Sequence, residues 1–178
     1  MINRFAMIIA LDEGGGFSKE NRIPWMNEPV FREDQKKFKE LTNHNAILMG
    51  RKTYEEIHEM KVSRGLREDG PLLRGRTSFV LSRNSKFQPF GAIKTVSFYN
   101  LGDLEEIQDR HVIQTLFVIG GLRTCNDLFA RVSDVYCTIV KGYYNCDKKF
   151  PIQEFKKFNI VEGEQTNNAY YIHYVRGA

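Results

Sequence analysis

The stretch that most constrains the fold is an uninterrupted apolar run, Leu116–Ile119, followed directly by Gly120 and Gly121. Apolar residues without alternating polar partners are typical of a strand buried on both faces, as at the centre of a parallel sheet. The following segment, Arg123–Phe129, has the apolar spacing of a helix. Adjacent glycines allow backbone N–H groups to approach a phosphate at a helix N-terminus. The pair therefore indicates either a ligand-binding sheet edge or a plain strand-to-helix turn.

The order of strand, turn and helix also occurs earlier, where Ala46–Met49 is followed by Gly50 and a helical pattern over Thr53–Met60. Further strands are predicted at Phe5–Leu11, Ser78–Leu81, Ile93–Phe98, Val135–Val140, Phe158–Glu162 and Tyr170–Val175, and further helices at Val30–Thr42 and Leu104–Asp109. We expect a mobile loop over Phe17–Trp25 and a charged loop over Lys61–Gly75. The pattern predicts a mostly parallel α/β sheet with flanking helices and an antiparallel C-terminal strand.

Length and composition limit the class of protein. A chain of 178 residues is long enough for one sizeable core, so we expect a single domain over residues 1–178. No apolar run approaches the roughly 20 residues of a membrane span, and the N-terminus lacks a secretory signal pattern, so we expect no membrane association and a cytoplasmic location. Cys125, Cys137 and Cys146 have no metal-site spacing, so we expect reduced thiols and no metal. The net charge of +4 is spread along the chain, and we expect no nucleic-acid partner.

An acidic residue stands on the apolar face of the helix predicted after Pro29. Asp34 shares that face with Phe38 and Thr42, whereas Glu33 is predicted on a solvated face with basic residues, and no basic residue is predicted on the face of Asp34. Burying an unpaired carboxylate costs several kcal/mol unless its pKa rises or a partner is present. Asp34 is therefore either a functional group that binds an amidine-like edge or acts as an acid, or a residue at the core rim that reaches water.

Basic and hydroxyl residues follow two other predicted strands. Arg51, Lys52 and Thr53 stand where a helix begins, and Ser82 and Arg83 follow the strand that ends at Leu81. Because the helix dipole disfavours cations at its N-terminus, a bound phosphate would reverse the sign of this interaction. The alternative is an ordinary surface helix capped by Thr53. With the Gly-Gly edge, these positions suit a dinucleotide that carries an extra phosphate.

These motifs, taken in order, resemble those of the dihydrofolate reductases. They are Pro24-Trp25, the acidic residue on the next helix, Met49-Gly50-Arg51-Lys52-Thr53, Gly75-Arg76-Thr77, Leu81-Ser82-Arg83, Val118-Ile119-Gly120-Gly121, and Asp147 near Phe150-Pro151. Each motif is short, but the ordered set covers nearly the whole chain. The resemblance implies a central eight-stranded sheet with flanking helices, NADPH as hydride donor, and 7,8-dihydrofolate as the substrate that is reduced to tetrahydrofolate.

The resemblance also implies roles for particular residues. Asp34 would bind the pterin with help from Thr138, Trp25 would order a nearby water, and Arg76 would bind the glutamate carboxylate unless it is an ordinary loop arginine. The remaining substrate contacts implied are Ile8, Ile9, Phe38, Ile57, Leu73 and Ile119. The cofactor contacts implied are Ala10, Phe17, Asn21, Ile23, Gly50, Arg51, Lys52, Thr53, Leu81, Ser82, Arg83, Ile119, Gly120, Gly121, Leu122, Arg123, Thr124 and Cys125. It further implies a cis peptide between Gly120 and Gly121, and antifolates such as methotrexate or trimethoprim as inhibitors. We expect a monomer.

Several positions depart from the family pattern. Cys125 stands where a tyrosine is usual beside the nicotinamide, and Leu122 replaces a small residue. The early loop carries Gly14, Gly15 and Gly16, and Ser18 stands where a glycine is commoner in the family. The segment Lys61–Leu72 is longer than is usual in the family.

Two other functions remain as alternatives. The reductase of riboflavin synthesis shares the fold and NADPH, but Asp34, Trp25 and Arg76 together speak against it. A non-catalytic nucleotide- or nucleic-acid-binding module would need basic residues and exposed aromatics clustered on one face, whereas the cations here stand at strand ends.

Overall fold

A computed structural model describes residues 4–67, 70–84, 86–90, 94–97 and 115–177. Its strands form a mixed eight-stranded sheet and a separate two-stranded pair. Two compact units divide the chain: the first is built mainly from Thr42–Leu128, and the second from Ala6–Leu41 and Phe129–Ala178.

The first unit contributes four parallel strands. They are β3 (Ala46–Gly50), β4 (Thr77–Ser82), β5 (Lys94–Ser97) and β6 (Thr115–Gly120), in the spatial order β5-β4-β3-β6. Ile47, Leu48, Phe79 and Val118 have no exposed surface, as expected for strands covered on both faces. Two helices, α2 (Arg51–Ser63) and α3 (Leu122–Leu128), follow β3 and β6.

The second unit contributes the antiparallel part of the sheet. Its strands are β1 (Arg4–Asp12), β7 (Asp134–Val140), β9 (Phe158–Gln165) and β10 (Ala169–Arg176), in the spatial order β1-β7-β10-β9. The strand β1 is parallel to β7, whereas β10 is antiparallel to both β7 and β9. Helix α1 (Pro29–Thr42) belongs to this unit except for its last residue. The expected fold, a mostly parallel sheet with helices and an antiparallel C-terminal strand, is confirmed.

Some predicted boundaries were wrong. Helix α2 begins at Arg51, two residues before the predicted start, and continues into the segment predicted as a loop from Lys61. The side chain of Lys61 is buried and donates a hydrogen bond of 2.7 Å to the carbonyl of Gly70, which accounts for the extra turn. Tertiary contacts of this kind override a local pattern of charged residues. The helix predicted at Leu104–Asp109 lies outside the described residues, as do Ile93 and Phe98 of the predicted strand that contains β5.

The loop expected to be mobile, Phe17–Trp25, is tied to the second unit. Strand β2 (Gly16–Ser18) pairs with β8 (Lys148–Lys149), and Asp147 accepts a hydrogen bond of 2.9 Å from the backbone N–H of Glu20. Strands this short have no periodicity that a sequence pattern could reveal.

Asp12, at the end of β1, holds the start of this loop and is only 3% exposed. Oxygen Oδ1 accepts hydrogen bonds from the N–H groups of Gly14 and Gly16, at 2.8 and 2.7 Å, and Oδ2 accepts from the N–H of Tyr144 at 3.0 Å. The thiol of Cys146 lies 3.7 Å from Oδ2. Burial by itself would raise the pKa of Asp12, but these donors hold the pKa below its ordinary value.

Replacing Asp12 with asparagine should destabilise the protein by about 1–3 kcal/mol at neutral pH, because an amide cannot accept from all three N–H groups. The depressed pKa means that the stabilisation is present above the ordinary aspartate pKa and is lost as the pH falls through the folded-state value. Urea unfolding of both proteins from neutral to acidic pH should therefore show a difference that shrinks in acid. The control is Asp127→Asn, which removes only an exposed ion pair with Arg123 and should change the free energy of unfolding by about 0.5 kcal/mol or less. If Asp12→Asn lowers the free energy of unfolding by the same amount at every pH, the stabilising role of the ionised Asp12 carboxylate is contradicted.

Candidate active site

Asp34 lies on α1, and the hydroxyl of Thr138 in β7 donates a hydrogen bond of 2.5 Å to its oxygen Oδ1. Burial raises the pKa of Asp34, while the hydrogen bond from Thr138 opposes that shift by favouring the ionised form. Among the residues that the structure describes, Thr138 is the one hydrogen-bond donor to this carboxylate. Oxygen Oδ2 is therefore free to accept from a ligand.

Apolar, aromatic and charged side chains together line the space beside this carboxylate within the second unit. A cavity of about 330 Å³ adjoins Asp34, and its lining includes Ile8, Phe38 and Thr138. Ile9, also predicted in the pocket, is buried and does not line this cavity.

Trp25 precedes α1 and is 1% exposed. It packs with Val30, Val140 and Ala169, and the partly buried Ala10 and Tyr171 contact the same cluster. Its ring meets that of Tyr144 edge to face, with centroids 5.4 Å apart. The tryptophan is thus buried in a hydrophobic cluster of the second unit and does not line this cavity.

The prediction that Glu33 lies on a solvated face is wrong. Its carboxylate accepts hydrogen bonds from Asn168 at 2.7 Å, Tyr171 at 3.2 Å and Thr166 at 3.4 Å. Lys37, predicted on the opposite face of the helix from Asp34, lines the same cavity as Asp34. A helical pattern separates polar from apolar sides, but it does not show that a strand flanks the polar side.

The carboxyl ends of three parallel strands meet at one edge of the first unit. Gly50 pairs with Leu81 between β3 and β4, and Met49 pairs with Gly120 between β3 and β6. The peptide between Gly120 and Gly121 is cis. Such an edge is where α/β sheets bind their ligands.

Two threonines pack directly against the glycines of this edge. A Cβ atom on Gly50 would lie 2.5 Å from Oγ1 of Thr124, and one on Gly121 would lie 3.2 Å from Oγ1 of Thr53. Gly50 is also the N-cap of α2 and provides no side-chain cap, so the first N–H groups of that helix have no side-chain acceptor there. A bare backbone and an uncapped helix N-terminus suit a phosphate group.

The cations predicted at this edge differ in their surroundings. Arg51 is exposed and donates to Glu55 at 2.7 Å, and its guanidinium lies 5.3 Å from the ring centre of Phe87. Lys52 is exposed. Arg123 makes one ion pair of 3.7 Å with Asp127.

The end of β4 carries the other predicted phosphate contacts. The hydroxyl of Ser82 accepts a hydrogen bond of 3.1 Å from the N–H of Asn84, which fixes the turn after the strand. Leu81 and Ser82 are buried, whereas Arg83 is exposed.

Helix α3 places Cys125 fully inside the first unit. Burial raises the pKa of its thiol to about 12, so the group is neutral near pH 7 and behaves as a small apolar side chain. Leu122 and Ile119 are half-buried beside the glycine pair in sequence. In the described part of the chain, no group of three or more His, Cys, Asp or Glu side chains could hold a metal ion.

The loop residues predicted to contact a cofactor belong to the second unit. Phe17 is half-buried in β2, and Ile23 is exposed. Asn21 has a positive φ of 61°, and its side-chain oxygen accepts a hydrogen bond from Lys148.

Arg76 follows the turn at Gly75 in the first unit. Its guanidinium donates to the hydroxyl of Thr42 at 3.0 Å and to the carbonyl of Arg74 at 2.6 Å, and partial burial lowers its pKa. These bonds hold the guanidinium in one orientation, unlike that of a freely moving loop arginine. Ile57 and Leu73, also predicted around the substrate, are half-buried in the same unit.

A family model for dihydrofolate reductase matches residues 4–176. The chain belongs to the dihydrofolate reductase family. The resemblance seen in the ordered sequence motifs is thereby confirmed.

Individual relatives agree with this assignment. A type 9 dihydrofolate reductase of Escherichia coli is 30% identical over 158 residues, which cover 87% of this chain and 80% of that protein. A bifunctional dihydrofolate reductase-thymidylate synthase of Paramecium tetraurelia is 29% identical over 177 residues, and the match spans 96% of this chain but 33% of the relative. The solved dihydrofolate reductase from Enterococcus faecalis, complexed with NADP(H) and RAB-propyl, superposes with a TM-score of 0.75 and 26% identity, covering 98% of this chain and 97% of that chain.

Several residues that join distant segments of the second unit were not found from the sequence. Asp12, Glu33 and Tyr171 contact segments that are distant along the chain, so no local spacing indicates them. The alternation in β10 was a usable signal for Tyr171, because it places that residue on one face of a strand next to β7.

No helix in the described ranges is long and apolar enough to span a membrane.

Proposed function

We propose that the protein reduces 7,8-dihydrofolate to 5,6,7,8-tetrahydrofolate with NADPH, and so supports one-carbon and thymidylate metabolism. The observation that carries the proposal is a half-buried carboxylate, Asp34, with one oxygen bound by Thr138 and the other free of donors among the described residues. The test is an absorbance assay of NADPH oxidation with dihydrofolate. Failure to oxidise NADPH would refute the activity.

Asp34 holds the pterin by accepting from its ring N–H and 2-amino groups. Ile8 and Phe38 supply apolar contact, and Trp25 positions a water near the ring. A pair of N–H donors matches a carboxylate as a bidentate partner, which fixes the orientation of the ring as well as adding binding energy. Burial raises the pKa of Asp34 and also strengthens its interaction with positive charge, because the local dielectric is low.

Reduction requires a proton on N5 of the pterin, and the bound NADPH supplies the hydride that is added at C6. The negative charge of Asp34 favours the pterin with N5 protonated, whichever group delivers the proton. Thr138 favours the ionised form of the carboxylate by donating to it, which opposes the effect of burial. Asp34 thus acts by orientation and electrostatics.

The first unit supplies a suitable edge for the pyrophosphate and the 2′-phosphate of NADPH. The bare backbone at Gly50, Gly120 and Gly121, with the uncapped N-terminus of α2, supports phosphate binding there. The remaining phosphate contacts in the proposal are Arg51, Lys52, Thr53, Ser82, Arg83 and Arg123, and Leu81, Leu122 and Thr124 are further cofactor contacts. Contacts to the nicotinamide are assigned to Ala10, Phe17, Asn21, Ile23, Ile119 and Cys125.

The substrate tail is assigned to Arg76, which would bind the glutamate α-carboxylate, with Ile57 and Leu73 alongside the benzoyl group. Antifolates such as methotrexate and trimethoprim would inhibit by binding Asp34 through their diamino edge. The protein would act as a monomer in the cytoplasm.

Gly50→Ala should weaken NADPH binding about tenfold, because the added methyl group would collide with Oγ1 of Thr124 and push the edge apart. NADPH fluorescence titration measures the effect. Gly163→Ala is the matched control, since a Cβ atom there meets nothing within 4 Å. An unchanged NADPH dissociation constant for Gly50→Ala would show that NADPH does not bind at this edge.

Asp34→Asn should lower kcat/KM for dihydrofolate by roughly 10²-fold or more near pH 7, and by less as the pH falls, because acid protonates N5 without the carboxylate. The raised pKa means that folding disfavours the ionised form, so removing the charge should leave the free energy of unfolding at pH 7 unchanged or higher. The measurements are kcat/KM across pH and urea unfolding. A loss of activity that is constant with pH, or that follows a loss of stability, would contradict this role.

Arg76→Leu should raise KM for dihydrofolate at least tenfold, and should have little effect on a pterin substrate without the glutamate tail, because only the carboxylate contact is lost. Arg74→Leu, at an exposed position two residues earlier, is the control. If Arg76→Leu raises KM equally for both substrates, Arg76 does not bind the glutamate carboxylate and has only a structural role in the loop.

A further inference from the structure

Glu33 connects α1 to the turn between β9 and β10. Oxygen Oε1 accepts from the amide of Asn168 at 2.7 Å, and Oε2 accepts from the hydroxyl of Tyr171 at 3.2 Å. The hydroxyl of Thr166 lies 3.4 Å from Oε2 and equally far from the carbonyl of Ala169, so its one proton is shared between these two acceptors. Both oxygens of this half-buried carboxylate are therefore engaged, each by a side chain from a distant part of the sequence. An exposed, solvated glutamate would have no such set of partners.

The turn that holds Glu33 is itself well fixed. The hydroxyl of Thr166 accepts from the N–H groups of Asn168 and Ala169, both at 3.2 Å. Lys141, directly after β7, donates from its ammonium to the carbonyl of Thr166 at 2.6 Å and from its backbone N–H to the carbonyl of Asn168 at 3.0 Å. The donors that reach Glu33 are thus anchored to the strand that carries Thr138.

Tyr171 completes the connection. It pairs with Thr138 in the register of β10 and β7, and Thr138 is the residue that donates to Asp34. Burial and the neighbouring Glu33 raise the pKa of the Tyr171 hydroxyl, which remains a donor at all physiological pH values. Lys37, one turn further along α1, lies over the Tyr171 ring at 4.4 Å.

Two adjacent residues of one helix are therefore held by two adjacent strands. Consecutive helical side chains point about 100° apart around the helix axis. The hydrogen bonds of Glu33 and Asp34 therefore hold α1 from two different directions. A single contact would permit rotation about the helix axis. Two contacts in different directions oppose it.

We infer that Glu33 is a positioning residue, which fixes the rotation of α1 through Asn168, Thr166 and Tyr171 and so aims the Asp34 carboxylate at the pterin. The inference rests on the proposed role of Asp34 in binding substrate. Glu33 itself does not contact the reacting atoms, because its own oxygens are occupied by the protein.

A double-mutant cycle tests this inference. Glu33→Ala should lower kcat/KM for dihydrofolate about 10- to 100-fold, since small displacements of a catalytic group have effects of this size. The NADPH dissociation constant should stay unchanged. In an Asp34→Asn background the same change should have less than about a twofold effect, because the group that Glu33 positions is already lost.

Two matched variants separate geometry from charge. Glu33→Gln keeps acceptor and size without the charge and should recover most of the lost activity. Lys36→Ala removes an exposed charged residue of α1, without a hydrogen-bond partner among the described residues and outside the cavity lining, and should be silent. Urea unfolding of every variant shows whether each protein is folded under assay conditions.

The inference is overturned if Glu33→Ala keeps full kcat/KM, or if it costs equally in both backgrounds, as a purely structural residue would. A wild-type protein that leaves dihydrofolate unreduced would refute the proposed function instead. The positioning role of Glu33 would then be tested by the ¹³C chemical shift of the Asp34 carboxyl group. Glu33→Ala should change this shift more than Glu33→Gln does. Equal shifts in the two variants would overturn it.

Discussion

The hydrogen bond from Thr138 to Asp34 joins the helix that carries the candidate catalytic carboxylate to the centre of the second unit's strands. A partly buried carboxylate is costly to ionise, and burial raises the pKa of Asp34 accordingly. One strong donor compensates part of this cost and leaves the second oxygen for the ligand. A carboxylate with both oxygens bound by the protein would be more stable but would have no oxygen left for the pterin that we propose it binds.

The proposed phosphate-binding edge of the first unit depends on the carboxyl ends of parallel strands. Because β3, β4 and β6 run in the same direction, Gly50, Ser82 and Gly120 come to one edge of the first unit. Helices begin directly after two of these strands, so N–H groups and cations collect where anionic ligands bind. Glycine is needed where threonine side chains pack against the backbone, and a methyl group on Gly50 would not fit beside Thr124.

Much of this was predictable from the sequence, where the signal was local. The unbroken apolar run before Gly120 predicted a central parallel strand, and the apolar face of α1 singled out Asp34. Contacts between distant segments were not predictable. Glu33 was assigned to solvent because a helical pattern records polarity and not the position of β10, and the three donors that hold it come from residues more than a hundred positions away. The anchoring of the early loop by Asp12 was missed for the same reason, because one of its N–H donors comes from Tyr144.

The central claim is that Asp34 is a carboxylate whose environment disfavours its charge until a ligand donates to it. Titration of its ¹³C-labelled carboxyl group by NMR, assigned by comparison with Asp34→Asn, measures this directly. The free protein should titrate above the ordinary aspartate pKa of 3.8, and bound methotrexate should move the midpoint well below that of the free protein. A midpoint at or below the ordinary value in the free protein, or one that methotrexate leaves in place, would contradict the account.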